Sequence, residues 1–272
     1  MALSQSAFDT FRKIVREEAA IVLDDGKEYL VESRLLPLCR SEDIESLEQL
    51  AVKLRFNPPR LTSLVVEALT TNETSFFRDA PLFDLVRDEL LPGLIERRSS
   101  QRKLNIWCGA SSSGQEPISL GILIREYFPE LADWNVKIVA TDINGEMIER
   151  CKTGIYSQLE VSRGLPAKLL IKYFKKTGVK WKVNDDVLWM IQYRKLNLAE
   201  PLPAMGPLDL VFLRNVLIYF DGETKSRILG EVYEQLRSDG SLLLGTAEST
   251  LGLCEGFSPL SHSAATSYQR VA

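Results

Sequence analysis

Apolar positions recur at three- and four-residue spacing through the first seventy residues, the pattern of amphipathic helices, and strand-like alternation is absent there. Phe8, Phe11, Ile14 and Val15 form one stripe, and Leu61, Leu64, Val65, Ala68 and Leu69 form another. Two further helical segments are expected near 26–40 and 45–56, the latter broken by Asn57-Pro58-Pro59. Arg34 and Arg40 fall on the second helix, with Lys53, Arg55 and Arg60 further on. By spacing alone these are solvated surface charges, since acidic residues are equally common there. Residues 71–79, TNETSFFRD, interrupt the helical pattern with the turn formers Thr71, Asn72 and Thr74. They read as a linker with an anchored aromatic and a cap for a helix over 80–97.

The pattern then changes. Leu104, Ile106 and Trp107 form a short buried-strand run, followed by a turn from Cys108 to Gly114 with no side chain larger than a thiol or hydroxyl. Pro117 follows, where a helix tolerates a missing N–H. Strand, small-residue turn and helix start bring backbone close to a nucleotide in α/β proteins. VKIVATDI, residues 136–143, is a second buried strand ending near Asp142. A carboxylate there is placed to bind ribose hydroxyls, the reading favoured beside the first strand and turn; the alternative is capping of the helix from Asn144. Residues 154–200 are too long for a simple crossover. Trp181 to Val183 and Val187 to Tyr193 alternate, which suggests antiparallel strands inserted at about 155–195. Leu208 to Leu213 is another buried strand running into Arg214 and Asn215. Asp221 can cap a helix with the apolar face Ile228, Leu229, Val232, Tyr233 and Leu236, ended by Asp239-Gly240. Residues 241–249 read as a strand, and Phe257 to Ser261 with Thr266 to Val271 as a closing hairpin. The expected organisation is a helical domain over 1–70, a linker over 71–80, and an α/β domain over 81–272 carrying the β insert. Parallel strands, crossover helices and a terminal hairpin resemble the twisted, Rossmann-like sheet of class I methyltransferases.

Composition narrows the chemistry. The 272 residues are 45% hydrophobic and 26% charged, as in a soluble globular protein. A formal net charge of −4 argues against a dedicated nucleic-acid binder. The exception is the lysine-rich stretch from Lys168 to Lys182, with Tyr173 and Trp181 among its lysines. It suits nucleic acid, an acidic protein surface or plain solvation. No apolar run approaches the ~20 residues of a membrane span, so membrane insertion is not expected. Cys39, Cys108, Cys151 and Cys254 are widely separated, which reads as reduced thiols in a cytoplasmic protein with no metal site. After Gly114, a phosphate-binding loop would need Lys and then Ser or Thr. Gln115 and Glu116 stand there instead, and a carboxylate would repel phosphate. S-adenosylmethionine fits better, because its sulfonium and ammonium tolerate a nearby Glu.

Several motifs, in order, resemble the bacterial chemotaxis receptor glutamate O-methyltransferases of CheR type. TNETSFFRD resembles that family's TN-x-T-x-FFR signature, and GASSSGQEPISL its S-x-G-E-E-P-Y-S-L motif. ATDI, KLNL and RNVLIYFD follow in the family's order. The resemblance covers nearly the whole chain. It implies that Asn72, Thr74 and Arg78 reach S-adenosylmethionine from the linker. Glu116 and Asp142 would hold its amino group and its ribose or adenine edge. Asn197 with Leu198, and Asn215 with Val216, would close round the adenosine and methionine ends, with Tyr219 near the methyl position. Gln115 replaces the first Glu of the family's pair, and Ile118 a common Tyr. YFKKTGVKWKV lacks the longer glycine-rich loop by which some members grip a receptor tether peptide, which leaves tether binding open.

The implied reaction carries a methyl group to a receptor glutamate, giving a methyl ester and S-adenosylhomocysteine. A carboxylate with a pKa of ~4.3 is already ionised at neutral pH. No general base is needed, which suits a chain whose only histidine is His262 and argues against a Ser-His-Asp triad. The oxygen must approach the methyl in line, at roughly 3–3.5 Å. A tight salt bridge from Arg78 to that oxygen would favour the ground state, so Arg78 is expected to bind cofactor or orient substrate, and Tyr219 to orient it by a hydrogen bond. The acidic helical bundle of the receptor's cytoplasmic part would dock on the N-terminal helices through Arg34 and Arg40. The alternatives are a class I methyltransferase acting on RNA or another acceptor, and a nucleoside-binding module without catalysis. A regulatory partner is not legible.

Overall fold

The N-terminal stripes become helices because each buries one face. The computed structural model describes residues 3–262 and 265–271. Contacts divide these into two units. The first runs to Thr71 and holds α1 (Gln5–Ala19), α2 (Glu28–Ser41), α3 (Leu47–Leu54) and α4 (Pro59–Leu69). Phe8, Phe11 and Val15 of α1 are fully buried. On α4 the buried face is Thr62, Val65, Val66 and Leu69, while Leu61, Leu64 and Ala68 are only half-buried. Ser4 and Ser46 accept from Ala7 N and Gln49 N at the starts of α1 and α3, satisfying otherwise orphaned helix amides. The same unit includes Asn197–Pro201 and Tyr219–Lys225 from later in the chain. Asn197 Nδ2 donates to the Glu18 carbonyl (2.6 Å), and Val22 N to the Tyr219 carbonyl (2.9 Å).

The second unit begins at Asn72. Its first helical run is α5 (Ala80–Leu85), a π-helical turn (Val86–Leu90) and α6 (Leu91–Arg98). There follow β1 (Lys103–Gly109), α7 (Gln115–Tyr127), a 3-10 turn (Pro129–Asp133), β2 (Asn135–Asp142) and α8 (Gly145–Thr153). The insert comprises β3 (Ile155–Ser157), α9 (Gln158–Val161), α10 (Ala167–Tyr173), β4 (Phe174–Thr177), β5 (Lys180–Val183) and α11 (Asp185–Leu188). The chain continues with β6 (Ile191–Lys195), β7 (Leu208–Leu213), α12 (Gly222–Gln235), β8 (Leu236–Leu244), β9 (Phe257–Ser261) and β10 (Thr266–Arg270). The main sheet has seven strands in the order β6-β2-β1-β7-β8-β10-β9. All strands run in one direction except β10, which is antiparallel to both of its neighbours, β8 and β9. This is the class I methyltransferase fold. β1 is central, and the chain leaves it towards β2 on one side and later returns as β7 on the other, which opens a crevice at their carboxyl ends. Leu104 to Gly109 and every residue of β7 are buried, as expected of strands covered on both faces.

β3, β5 and β4 form a separate antiparallel sheet in that order, so the expected insert is present. Thr177 pairs with Lys180 across a connection of only Gly178 and Val179. Two details differ from expectation. Val187 to Tyr193 contains no insert strand. Val187 lies in α11, and Ile191 onward pairs in parallel with β2 at the edge of the main sheet. Alternation alone does not distinguish the two settings. The helix after Asp221 ends at Gln235, because Leu236 pairs with Leu208 and Asp239 is held by Arg98 (2.8 Å). Asp239-Gly240 therefore lies in an irregular stretch of β8, and that strand ends at Leu244 rather than near Ser249.

Candidate functional site

The small-residue turn after β1 is tight enough to need left-handed backbone at Ala110 (φ 53°), Ser112 (φ 50°) and Gly114 (φ 89°). At Gly114 a Cβ would lie 2.8 Å from Cys151 Sγ, so glycine is required by both conformation and space. Asp142, at the end of β2, brackets the turn. Its Oδ2 accepts from Ser112 N (2.7 Å) and its Oδ1 from Asn144 N (2.9 Å). Capping of α8 falls to Asn144, whose side chain accepts from Met147 N (3.1 Å). Ser112 Oγ donates to the Asn72 carbonyl (2.9 Å), tying the linker to the turn. Cys151 donates its S–H to the Ser112 carbonyl (3.1 Å), and burial raises that thiol's pKa to about 12. Burial pushes the Cys108 thiol well above its ordinary range too. Neither is a ready nucleophile.

Arg214 follows β7, and its side chain is 2% exposed. Nη1 donates to Glu116 Oε2 (2.6 Å), and Nη2 donates to the Arg78 carbonyl (3.0 Å) and to Asp79 Oδ2. Asp79 stands at the cap position of α5. Its side chain makes no cap bond and pairs with Arg214 instead. Burial holds the pKa of Glu116 above the usual carboxylate range, with Arg214 and then Arg78 pulling it down and Glu248 adding to the rise. Asn215 (φ 56°) and Val216 follow Arg214, and both backbone amides donate to Glu248 (2.7 and 2.9 Å). Sequence carried no signal for this, since the partner lies more than thirty residues away.

The linker is shaped from several sides. Phe76 is fully buried, with edge contacts to Tyr156 (5.1 Å) and Phe174 (5.6 Å) of the insert. Phe77 N donates to Ser119 Oγ (2.9 Å). Phe77 (φ 47°) and Asp79 (φ 61°) are also left-handed. Five non-glycine residues in sparsely populated backbone thus border one crevice, the kind of strain that clusters at functional sites. Arg78 and Thr74 are half-buried, and Arg78 Nη1 donates to the Glu73 carbonyl (3.3 Å).

The second unit therefore brings together Asn72, Glu116, Asp142, Asn215 and Val216. Asn197, Leu198 and Tyr219 group with the helical unit. Asn197 is held there at both ends of its amide, accepting from Ala199 N (3.0 Å) besides its bond to Glu18. Leu198 is buried and Tyr219 half-buried. Arg34 is half-buried and donates to the carbonyls of Leu69 (2.7 Å) and Thr70 (2.9 Å) and to Thr71 Oγ1 (3.1 Å), while Arg40 is exposed. Among the described residues no group of His, Cys, Asp and Glu is placed to hold a metal ion, and no helix is long and apolar enough to cross a membrane. His262 sits between Glu89 (2.7 Å) and Ser267 Oγ (3.0 Å), the order of a catalytic triad. Ser267 is 0% exposed, so its hydroxyl is closed to any substrate.

Comparison with known families supplies the deciding observation. The model for the CheR methyltransferase all-alpha domain matches residues 6–70, and that for the CheR methyltransferase SAM binding domain matches 72–265. The chain belongs to the CheR methyltransferase family. Among CheR-like relatives, chemotaxis protein methyltransferase 1 of Pseudomonas aeruginosa is 39% identical over 254 residues, 92% of each chain. Chemotaxis protein methyltransferase Cher2 of Pseudomonas putida is 36% identical over 274 residues, 99% of each chain. Chemotaxis protein methyltransferase of Vibrio parahaemolyticus is 39% identical over 262 residues, 94% of each chain. The CheR crevice of this chain suits the family's cofactor on charge. The four carboxylates Asp79, Glu116, Asp142 and Glu248 outnumber the two guanidinium groups, Arg78 and Arg214, of which Arg214 pairs with Asp79 and Glu116, and a site with surplus negative charge favours a cationic ligand over a phosphate.

Proposed function

We propose that this chain carries a methyl group from S-adenosylmethionine to glutamate side chains of chemotaxis receptors, leaving methyl esters and S-adenosylhomocysteine. The observation that carries this reading is the acidic crevice at the ends of β1, β2 and β7, in a chain whose relatives are named chemotaxis protein methyltransferases. When bound, S-adenosylmethionine supplies a methyl group activated on a cationic sulfur. In this reading Glu116 holds the ammonium end. Asp142 holds ribose or adenine, since each oxygen of an ionised carboxylate can accept more than one hydrogen bond. Asn72, Thr74 and Arg78 contribute from the linker, and Asn215 with Val216, and Asn197 with Leu198, enclose the two ends.

The acceptor carboxylate is already ionised, so the chain's task is positioning and exclusion of water rather than proton transfer. Opposite charges partly cancel as the methyl moves, so a dry site helps. Arg78 orients cofactor or substrate without clamping the attacking oxygen, and Tyr219 orients the acceptor by a hydrogen bond. Docking on the receptor's acidic cytoplasmic bundle is assigned to α2, through exposed Arg40 and the half-buried Arg34 of the same helix. This reading puts the enzyme in the cytoplasm.

The test offers radiolabelled S-adenosylmethionine with either a receptor cytoplasmic fragment or total RNA. Base-labile label on the receptor fragment is expected. Label on RNA, or binding with no transfer to any acceptor, would refute the proposal.

A further inference from the structure

One carboxylate receives four backbone amides at the ends of β7 and β8. Glu248 Oε2 accepts from Asn215 N (2.7 Å) and Gly245 N (2.7 Å), and Oε1 from Val216 N (2.9 Å) and Leu217 N (2.8 Å). Glu248 N donates in turn to the Gly245 carbonyl (2.9 Å), closing the loop after β8 into a turn. Gly245 has no room for a side chain. A Cβ there would lie 2.7 Å from both Glu248 Oε2 and Asn215 Nδ2.

The segment Asn215–Leu217 leaves β7 through a left-handed residue and enters a 3-10 turn, Leu217–Tyr219. Its three successive amides have no ladder partner. Left unmade in a largely buried loop, such bonds are costly. A carboxylate seated on consecutive amides satisfies them with charge-assisted bonds, as anions do in backbone nests. Glutamine would present an NH2 group to two of the four amides and lose those bonds.

We propose that Glu248 is a positioning residue for methyl transfer: it sets the backbone of Asn215 and Val216 in the orientation that receives the methyl donor. This rests on the reading above, in which those two residues border the donor. Glu248 acts through the loop, so its loss weakens the use of donor and leaves use of the receptor alone. A residue that merely stabilised the fold would lower the amount of active enzyme and leave both KM values unchanged.

The test compares wild type, Glu248→Gln and Gly245→Ala. KM for S-adenosylmethionine, KM for a receptor fragment and kcat are measured together with amide hydrogen exchange. Both variants are expected to raise the donor KM roughly tenfold or more, with the receptor KM unchanged. The amides of Asn215, Val216, Leu217 and Gly245 should exchange slowly in wild type and faster in each variant. A folded Glu248→Gln enzyme with wild-type donor KM would overturn the proposal, as would rapid exchange of those four amides in wild type. If Glu248→Gln does not fold, Gly245→Ala and the wild-type exchange pattern still decide. A wild-type chain that does not use the donor at all would sink the functional reading, while slow exchange would still establish the clamp.

Discussion

Arg214 is where the charge balance of the crevice is decided. Its guanidinium is held between Glu116 and Asp79, and its removal would leave Glu116 without that partner in a desolvated setting and Asp79 unpaired at the crevice edge. Arg214→Met is therefore expected to cost about 3–5 kcal/mol in urea unfolding; a loss below ~1 kcal/mol would mean the pair is hydrated and the crevice open. Glu116 sets the pH response. Its folded pKa is raised, chiefly by burial, so between the ordinary carboxylate range and that raised value the folded chain holds a proton that the unfolded chain does not. This contribution to stability is present at low pH and declines as pH rises through the window. A cationic donor prefers the ionised form, so its affinity should rise with pH across the same window. Calorimetric titration of Glu116→Gln should show weaker binding with that pH dependence flattened. Equal slopes in wild type and variant would remove Glu116 from the donor site. Arg78→Ala should abolish donor binding or raise the receptor KM, and a loss confined to kcat would contradict its assignment.

At the level of elements, the linker owes its shape to the insert that packs on it. Gly164 (φ 84°) lies so close to Phe76 that a Cβ would fall 2.0 Å from the Phe76 carbonyl oxygen. At Gly178 (φ 59°) a Cβ would meet nothing within 4 Å. Gly164→Ala should lower Tm sharply and displace the linker, whereas Gly178→Ala should cost only about 1 kcal/mol through its backbone angle. Similar Tm values for the two would mean that the insert does not anchor the linker. The double phenylalanine of TNETSFFRD was legible as an anchor, but its partners Tyr156 and Phe174 were not, because neither periodicity nor turn chemistry reports contacts across eighty residues or more. Strand, small-residue turn and Asp142 were readable because each is a local pattern that the backbone must obey. β6 was misplaced for a physical reason. Ile191 and Tyr193 alternate as any half-buried strand does, and only the free edge of β2 selects the parallel partner. Leu236 fits a helix face as well as a strand, and the bond from Arg98 to Asp239 settles it in β8. Arg214 and Glu248 stayed invisible because a charged residue after a strand looks the same whether it is solvated or buried against a distant partner.

On the scale of the whole molecule, the account needs an acidic protein to meet a helical surface carrying Arg40. Association with a receptor fragment should weaken as salt is raised, because exposed charges are screened within ~10 Å at 0.1 M ionic strength. Arg40→Glu should weaken it further at low salt, and salt-independent association would count against docking on α2. The claim on which everything else depends is the identity of the acceptor atom. Mass mapping of a receptor cytoplasmic fragment after incubation with enzyme and S-adenosylmethionine addresses it directly. The prediction is single-methyl adducts on glutamate residues, released as methanol by mild base and absent when Glu116→Gln replaces wild type at low donor concentration. Methyl groups stable to base on lysine or arginine, or an unmodified fragment beside methylated RNA, would contradict it.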